Sequence, residues 1–521
     1  MKITIVGAGT AGALAAAYFK TTYPSWDIIQ IHNSVKIPII GVGESLTPLP
    51  VSLFNKIGLD ESKWVKETGS SFKIGNRFEG WSDKDINVGF SYNKHLDNIL
   101  NNKHSNLESM ITVSNDKFRL TDIWLDLYLK GKVGSFSESF NEFHLCMENN
   151  TAPFSSDGKI ISNQDYQHSY HINAEKFAPW IQDNVNKKIG VKELIGIIVD
   201  VNLNEKGIAN VHLDDGRVHT SDYWIDCSGF HRVLINALSP FERYYHVKTN
   251  SATVMPIKYK DKTEMKNHTR TIWNEYGWQF KIGLKERLGT GIIYSDAYFD
   301  SNHIEQVLLE KEGPRNLKPP RTIKWVPGKM KLPGCKNVYS IAGASGFIEP
   351  MEGNVLAHTV SGIMNSARAI DEASKGKSIK QCNDEFNRST NIFLDDAADF
   401  ISAHYTLCKK GDNEFWNDMR LIGKTYRHKE LLLHKYNHHN NTIRAAYKLL
   451  TTYPDFMWLQ LAQEFYDLDL SEYSRNTPQH LQDQVLKYIQ TKENYCDKKN
   501  YHKKNSFPEF MDYYFNLETT T

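Results

Sequence analysis

The hydrophobic pattern begins with a short unbroken run, Ile3-Thr4-Ile5-Val6, which predicts a buried strand. It passes through Gly7-x-Gly9-x-x-Gly12 into Ala13-Leu14-Ala15-Ala16-Ala17-Tyr18-Phe19, a small-residue segment suited to a helix lying close on that strand. A second run, Asp27–His32, predicts the next parallel strand. Residues 70–81 (SSFKIGNRFEGW) alternate and read as one strand, whereas residues 87–165 are polar and irregular and read as insertion loops and short helices. Phe177, Trp180 and Ile181 have helical spacing. Residues 192–219 read as strands with a hairpin turn at Asp214-Asp215-Gly216-Arg217, and residues 223–229 as a buried strand returning to the first sheet. Four alternating runs between Ser251 and Asp300 predict an antiparallel sheet over the first domain. A strand at 338–343 follows, and from Val355 onward the pattern is mainly helical, with a polar tail from Lys498.

The strand–glycine–helix unit at the start carries a specific chemistry. Gly7 permits the tight turn, Gly9 lets a pyrophosphate approach the backbone, and Gly12 lets helix and strand pack closely. The first helical residues, Thr10 and Ala11, then offer free N–H groups and the positive end of the helix dipole. Where such folds usually place an acid to hold a ribose, the second strand ends in His32-Asn33-Ser34, which predicts a loosely held, exchangeable nucleotide. A glycine-rich loop, Gly41-Val42-Gly43-Glu44-Ser45-Leu46-Thr47-Pro48, reads as cofactor-facing, because no structural core requires two glycines and an acid so close together.

Composition narrows the class. The chain has 521 residues, enough for two or three subdomains. Lys+Arg is 62 against Asp+Glu 61, a formal net charge of +1, so no nucleic-acid footprint and no electrostatic membrane anchor is expected. The six cysteines are scattered without a CxxC pair, which suggests a reducing compartment. The first strand starts within two residues of Met1 and no apolar run approaches a membrane span, so a cytoplasmic protein is expected. Leu433-His434-Lys435-Tyr436-Asn437-His438-His439 has histidines at i and i+4, but without an acidic companion they read as surface residues, and no metal site is expected.

Four blocks in order, GxGxxG at Gly7, GVGES at Gly41, DCSG at Asp226 and GASGFIEPMEGN at Gly343, resemble the flavin-dependent halogenases of the tryptophan halogenase family. FKIGNRFEGW from Phe72, YHINA from Tyr170, GTGIIYS from Gly289, DFISAHY from Asp399, Phe415-Trp416 and WLQLAQ from Trp458 extend the resemblance to about Tyr473. It implies an α/β fold: an FAD-binding, Rossmann-like flavin monooxygenase core with an antiparallel sheet and a C-terminal helical cap. Residues 1–355 are expected to form the FAD module, with sheet and loops inserted at about 75–170 and 240–330, and residues 356–521 the cap over an aromatic substrate pocket. The resemblance further implies reduced FAD delivered by a separate NAD(P)H-dependent flavin reductase. It implies O2 and halide (chloride, bromide or iodide) as co-substrates, a flavin C4a-hydroperoxide, and hypohalous acid travelling through a tunnel to a small aromatic substrate. Oligomeric state is left open, a homo-oligomer included.

Residue roles follow from the same blocks. A lone lysine in an apolar alternation ordinarily lies on the solvated face, yet Lys73 resembles the family's tunnel lysine, which hydrogen-bonds or captures the hypohalous acid. Glu352 resembles the catalytic glutamate that stabilises the cationic ring intermediate and takes its proton; Glu349 is its nearest competitor. Cofactor contacts are expected at Gly7, Gly9, Thr10, Ala11, Gly12, Gly43, Glu44, Ser45, Gly343 and Ile348, and halide at the backbone of Asn354 and Val355. Substrate contacts are expected at Phe90 and Trp458.

The chain departs from the family in two places. Glu352-Gly353-Asn354 replaces Glu-Ser-Thr, which suggests a more open loop tolerant of bromide or iodide. Trp278-Gln279-Phe280-Lys281-Ile282-Gly283 replaces Trp-x-Trp-x-Ile-Pro, the stretch thought to keep such a module from acting as a monooxygenase. The tryptophan-clamping pattern is not found in the cap, so the substrate is expected to be an indole, a phenol or another electron-rich aromatic. An aromatic hydroxylase and a non-catalytic flavin-binding protein stand as the alternatives.

Overall fold

Period-two alternation in the strand Lys2–Val6 separates two layers. Ile3 and Ile5 enter one core with Ala13, Leu14 and Ala17 of the helix Thr10–Thr22. Val6 enters another, on the opposite face, with Trp224, Val211 and Leu213. Thr4 on that second face meets His219 Nε2 at 2.8 Å. The computed structural model describes residues 1–33, 43–90, 110–113, 116–152, 168–427, 453, 455–499 and 506–516; for 110–113, 116–117, 455–456 and 492–499 it describes the backbone alone. The histidines at 434 and 438, and Ser34, lie outside these residues.

The strand Lys2–Val6 sits inside a six-stranded sheet ordered Lys192–Ile195, Asp27–His32, Lys2–Val6, Tyr223–Asp226, Val338–Ser340, Gly334–Cys335. All neighbours pair in parallel except the last two. A three-stranded sheet, Ile198–Asn204, Gly207–Leu213 and Val218–His219, covers one face, and its hairpin turns at the expected Gly216. The helices Thr10–Thr22, Ala174–Ile181 and Asn354–Ser374 cover the other.

A seven-stranded sheet carries the predicted antiparallel runs, in the order Arg321–Lys324, Ser251–Ile257, Leu288–Tyr294, Gly277–Gly283, Thr269–Asn274, Gly75–Glu79, Ile86–Gly89. Only the pairing of Thr269–Asn274 with Gly75–Glu79 is parallel. The expected single strand at 70–81 is two strands in two sheets. Ser71–Lys73 pairs with Ser169–Ile172, and Gly75–Glu79 joins the larger sheet. The chain changes sheets at Ile74, whose N–H donates to the Asn267 carbonyl at 2.8 Å. Gly75 makes the crossing possible, since a Cβ there would lie 2.6 Å from the Val88 carbonyl oxygen. Within 87–165, the described part holds more order than a loop region: the helix Leu120–Leu129 is buried and headed by an Arg119–Asp122 ion pair.

Residues on both sides of 355 share the same hydrophobic cores. The helix Asn354–Ser374 places Leu356, Val360 and Ile363 in the same core as the helix Thr10–Thr22. The next helices, Ile379–Thr406 and Glu414–Thr425, bury Leu394, Phe400, Ile401, Phe415 and Trp416 in the core that also holds Trp278 and Phe280 of the larger sheet. The last described helix, Phe507–Asn516, returns to the first core, where Phe510 and Tyr514 pack on Phe72 with ring centroids 5.8 and 5.0 Å away. Amphipathic faces at both ends of this C-terminal stretch are thus used by the nucleotide-type layer, and only its middle forms a cap.

Among the described residues no helix is long and apolar enough to cross a membrane. None brings together three or more His, Cys, Asp or Glu side chains in a group that could hold a metal ion. The five described cysteines are free thiols.

Candidate active site

Three parallel strands stop at one edge, at Val6, Asp226 and Ser340. Beyond the carboxyl ends of such strands a ligand crevice is expected. Gly7 has φ +113° and the position of a Cβ lies 2.4 Å from the Cys227 carbonyl oxygen; at Gly12 it lies 2.1 Å from the Gly7 oxygen. Gly9 is different, with no heavy atom within 4 Å of its Cβ position. Two glycines are therefore consumed by packing and the middle one faces open space. The helix Thr10–Thr22 starts there with no side-chain cap and no acid in its first turn, so its N–H groups and dipole are left for an anion. Thr10 Oγ1 donates to Glu44 Oε1 at 3.5 Å, and burial raises the Glu44 carboxyl to about 7.

At the end of the second strand, His32 Nε2 lies 3.6 Å from Glu193 Oε1 on the neighbouring strand, while Asn33 Oδ1 is buried without a partner among the described residues. Glu193 thus engages His32, and the end of the second strand itself carries no acid. Open space at Gly9, an uncapped helix and an orphaned acceptor at the strand end together fit a dinucleotide. Gly343 follows Ala342, which holds φ +57°, and its Cβ position lies 3.2 Å from the Phe230 ring. Ile348 is buried, and its carbonyl accepts from Trp325 Nε1 at 2.7 Å. Gly43 faces Ile282 of the altered Trp278–Gly283 stretch, 3.2 Å from the Gly43 Cβ position.

Lys73 is fully buried, not on a solvated face. Its Nζ donates to Ser45 Oγ at 2.5 Å and to the Leu46 carbonyl at 3.0 Å, and lies 4.9 Å from the centroid of the Phe90 ring. Burial lowers the lysine to about 7, against the charge of Glu352, which raises it. Ser45 is held in turn. Its Oγ is 2.7 Å from Thr269 Oγ1, which is 2.9 Å from His171 Nε2. His171 is the strand partner of both Ser45 and Ser71, and burial drives its imidazole well below the usual range.

Glu352 is buried in a tight turn, Met351–Gly353, with φ +64°. A left-handed conformation at a non-glycine residue is uncommon and is maintained by its surroundings. Asn76 Nδ2 donates to Glu352 Oε2 at 3.2 Å, and His404 Nε2 stands 3.5 Å from Oε1. The other ring nitrogen of His404 is 3.0 Å from the Phe400 carbonyl. A carbonyl only accepts, so Nδ1 carries a proton and Nε2 is the atom turned to Glu352.

Gly353 is also left-handed, at φ +64°, and its Cβ position lies 2.7 Å from the Ser45 carbonyl oxygen. Glycine here answers a close approach, so the loop is tight where the sequence suggested an open one. The helix Asn354–Ser374 starts at once, with no side-chain cap and no acid in its first turn, which turns the N–H groups around Asn354 and Val355 toward an anion. Asn354 Nδ2 is occupied by the Met351 carbonyl at 3.3 Å and by the Tyr453 hydroxyl.

Lys73, Glu352, Ser45, Asn354 and Phe90 are thus gathered around one point. Trp458 is not: it is completely buried, edge-on to Phe400 at 4.9 Å, and backs the Phe400–Tyr453 stack behind Asn354. Glu349, the competing carboxylate, faces elsewhere and accepts from Thr249 and from Tyr405 at 2.7 Å, and burial raises it to about 7. Sequence reasoning missed Asn76, His171, Thr269 and His404. Three of them stood in blocks already noted, FKIGN, YHINA and DFISAHY, where a polar side chain in an otherwise apolar stretch was the available signal.

Comparison with known proteins gives a consistent result. The family model for tryptophan halogenase matches residues 2–479. The tryptophan 7-halogenase RebH of Lentzea aerocolonigenes is 27% identical over 423 residues, covering 80% of this chain and 78% of that protein. The tryptophan halogenase structure from Shewanella frigidimarina superposes with a TM-score of 0.83 at 20% identity, over 99% of this chain and 98% of that one. Xcc4156, a flavin-dependent halogenase from Xanthomonas campestris, superposes with a TM-score of 0.80 at 22% identity, over 98% of each chain.

Proposed function

The chain belongs to the tryptophan halogenase family, and we propose that it halogenates an electron-rich aromatic substrate, an indole, a tryptophan-like compound or a phenol, using reduced FAD, O2 and halide. The observation that carries this reading is the convergence of a buried ammonium, Lys73, and a buried carboxylate, Glu352, from distant parts of the sequence. Simple flavin binding requires neither group.

FAD would be held by Gly7, Gly9, Thr10, Ala11 and Gly12 at its phosphates, and by Gly43, Glu44, Ser45, Gly343 and Ile348 on the side of the loops. When bound and reduced, it supplies the oxidising equivalent from O2 that makes halide electrophilic. A separate NAD(P)H-dependent reductase would deliver it reduced, and the absence of an acid at His32 favours exchange. Backbone N–H groups at Asn354 and Val355 would hold the halide without spending a positive charge on it.

The residues of the chain do the rest. Two donors of the Lys73 ammonium are engaged by Ser45 and Leu46, and the third is available to hypohalous acid. Donation to its oxygen withdraws electrons from the halogen. As the aromatic carbon takes the halogen, the hydroxyl leaves as water with that proton. Glu352, oriented by Asn76, faces the cationic ring, stabilises it and removes its proton. His404 Nε2, 3.5 Å from the other carboxylate oxygen, lines the same side of Glu352. Burial of all these groups keeps water from the oxidant and strengthens each electrostatic contact.

The test is a panel of indoles and phenols incubated with the protein, FAD, a flavin reductase, NADH and each halide, with products read by mass spectrometry. A halogen isotope pattern supports the reading. A gain of one oxygen identifies an aromatic hydroxylase, the outcome that Phe280 and Gly283 in the altered stretch would favour. Flavin turnover without any product identifies neither chemistry and overturns the proposal.

A further inference from the structure

Lys73 ends a chain of hydrogen bonds whose direction is fixed at its far end. Ser71 Oγ donates to the Gly283 carbonyl at 2.5 Å. A carbonyl cannot donate, so the single Ser71 proton is committed and its oxygen can only accept from His171 Nδ1, 3.4 Å away. The Gly283 carbonyl also accepts from this histidine. Nδ1 therefore carries the ring proton, and Nε2 is left as an acceptor for the Thr269 hydroxyl at 2.9 Å. With its proton spent on His171, Thr269 accepts from Ser45 at 2.7 Å. Ser45, its own proton spent on Thr269, has only a lone pair to offer Lys73.

We infer that His171 and Thr269 are positioning residues that act through Ser45 to hold Lys73 as a charged donor. The inference rests on the halogenation reading above, in which Lys73 must give an N–H to the oxidant. Burial works against that role, because a buried lysine is pushed toward the neutral amine. In the amine form the lone pair of Lys73 would need a donor, and the chain leaves Ser45 none to give. The lock needs no charge of its own: His171 stays neutral in its buried position. The titratable and charged groups around the chain are Glu352, which favours the lysine charge, His171 and the buried His268 beside Thr269, and Glu44 beside Ser45.

Thr269→Val is nearly isosteric and cuts the chain at one atom. Ser45 is then free to turn its proton toward Lys73 and donate to the amine, so the lysine should lose its charge at lower pH. Thr269→Ser restores the hydroxyl and should restore the wild-type behaviour. The measurement is the titration of the Lys73 Cε resonance by NMR, in the full-length chain with 13C-labelled lysine and no cofactor added. Lys73→Met identifies the signal. Thr269→Val is expected to lower the midpoint by about one pH unit, the size of one exchanged hydrogen bond.

Ser45→Ala is the second variant, for the case in which Thr269→Val does not fold. It removes the acceptor itself and is likewise expected to lower the midpoint. An unchanged or raised midpoint in either variant, or failure of Thr269→Ser to return it, overturns the inference. The titration uses no halide, flavin or substrate, so a missing halogenated product leaves it untouched, and the converse holds as well.

Discussion

Asn76 donates to Glu352 at 3.2 Å from a strand that begins two residues after Lys73. In the parallel pairing of Gly75–Glu79 with Thr269–Asn274, Asn76 stands opposite Thr269, whose hydroxyl reaches Ser45. One point of the sheet thus serves both groups, Glu352 directly and Lys73 through Ser45.

Asn76→Leu should lower turnover without weakening flavin binding. The lost bond is to an ionised acceptor and is worth about 1.5–3 kcal/mol, so kcat should fall about 10- to 100-fold. FAD affinity, measured by fluorescence quenching, should stay at the wild-type level. A matching fall in both would make Asn76 a scaffold for the cofactor site instead.

Removing either reacting group should uncouple the flavin from product. Lys73→Met and Glu352→Gln are each expected to cut halogenated product by about 100-fold or more, while NADH consumption and peroxide release continue. A Lys73→Met protein that halogenates at full rate would falsify the mechanism.

Stability should depend on pH through Lys73 in a defined direction. Burial lowers this lysine from 10.5 to about 7. Between those values the unfolded chain holds a proton that the folded chain has given up. Stability contributed by this group therefore rises with pH from about 7 toward 10. In urea unfolding at pH 7 and pH 9, the midpoint of the wild type should gain more, or lose less, than that of Lys73→Met. Equal differences in the two proteins would show that the lysine is not buried as a cation in this way.

The three glycines of the first turn should respond differently to alanine. At Gly12 the added Cβ would lie 2.1 Å from a backbone oxygen, and Gly12→Ala should fold poorly. At Gly9 it meets nothing, so Gly9→Ala should melt at the wild-type temperature and yet bind FAD at least about tenfold more weakly, the methyl filling space meant for phosphate. Calorimetry with and without FAD separates the two effects.

Gly353→Ser restores the residue usual in the family and should nevertheless harm this chain. The backbone there is left-handed, which costs a side chain about 1–2 kcal/mol, and the new Cβ would press on the Ser45 carbonyl at 2.7 Å. A melting temperature lower than wild type by several degrees is expected. A higher one would mean that the strand Glu44–Ser45 yields easily.

Much of the architecture was legible because it is local. The strand, turn and helix at Met1–Thr22, the parallel strand Asp27–His32 and the antiparallel runs after Ser251 all announce themselves by period and punctuation. Lys73 and Glu352 were found through the motif blocks in which they stand. Period alone misplaced Lys73, since alternation cannot tell a face turned to water from one turned to a second sheet. Asn76, Thr269 and His171 were not found because each looks like an ordinary polar position in its own strand, and their meaning arises only where three strands from distant sequence meet. What the helices after residue 355 pack against was not legible for a related reason. Helical periodicity shows that a face is apolar, but not which layer it will cover.

The packing of the last described helix on Phe72 makes the covering of the Lys73 strand a late event. Phe510 and Tyr514 close over the residue next to Lys73, and Phe507 is tied back to Asn150 at 2.8 Å. During synthesis, N-terminal units fold first, yet the strand carrying the lysine lacks this cover until Phe507–Asn516 has left the ribosome. A polypeptide that stops before Phe507 would leave Phe72 without these two rings. The strand that carries Lys73 is thereby closed by a segment far along the chain from it.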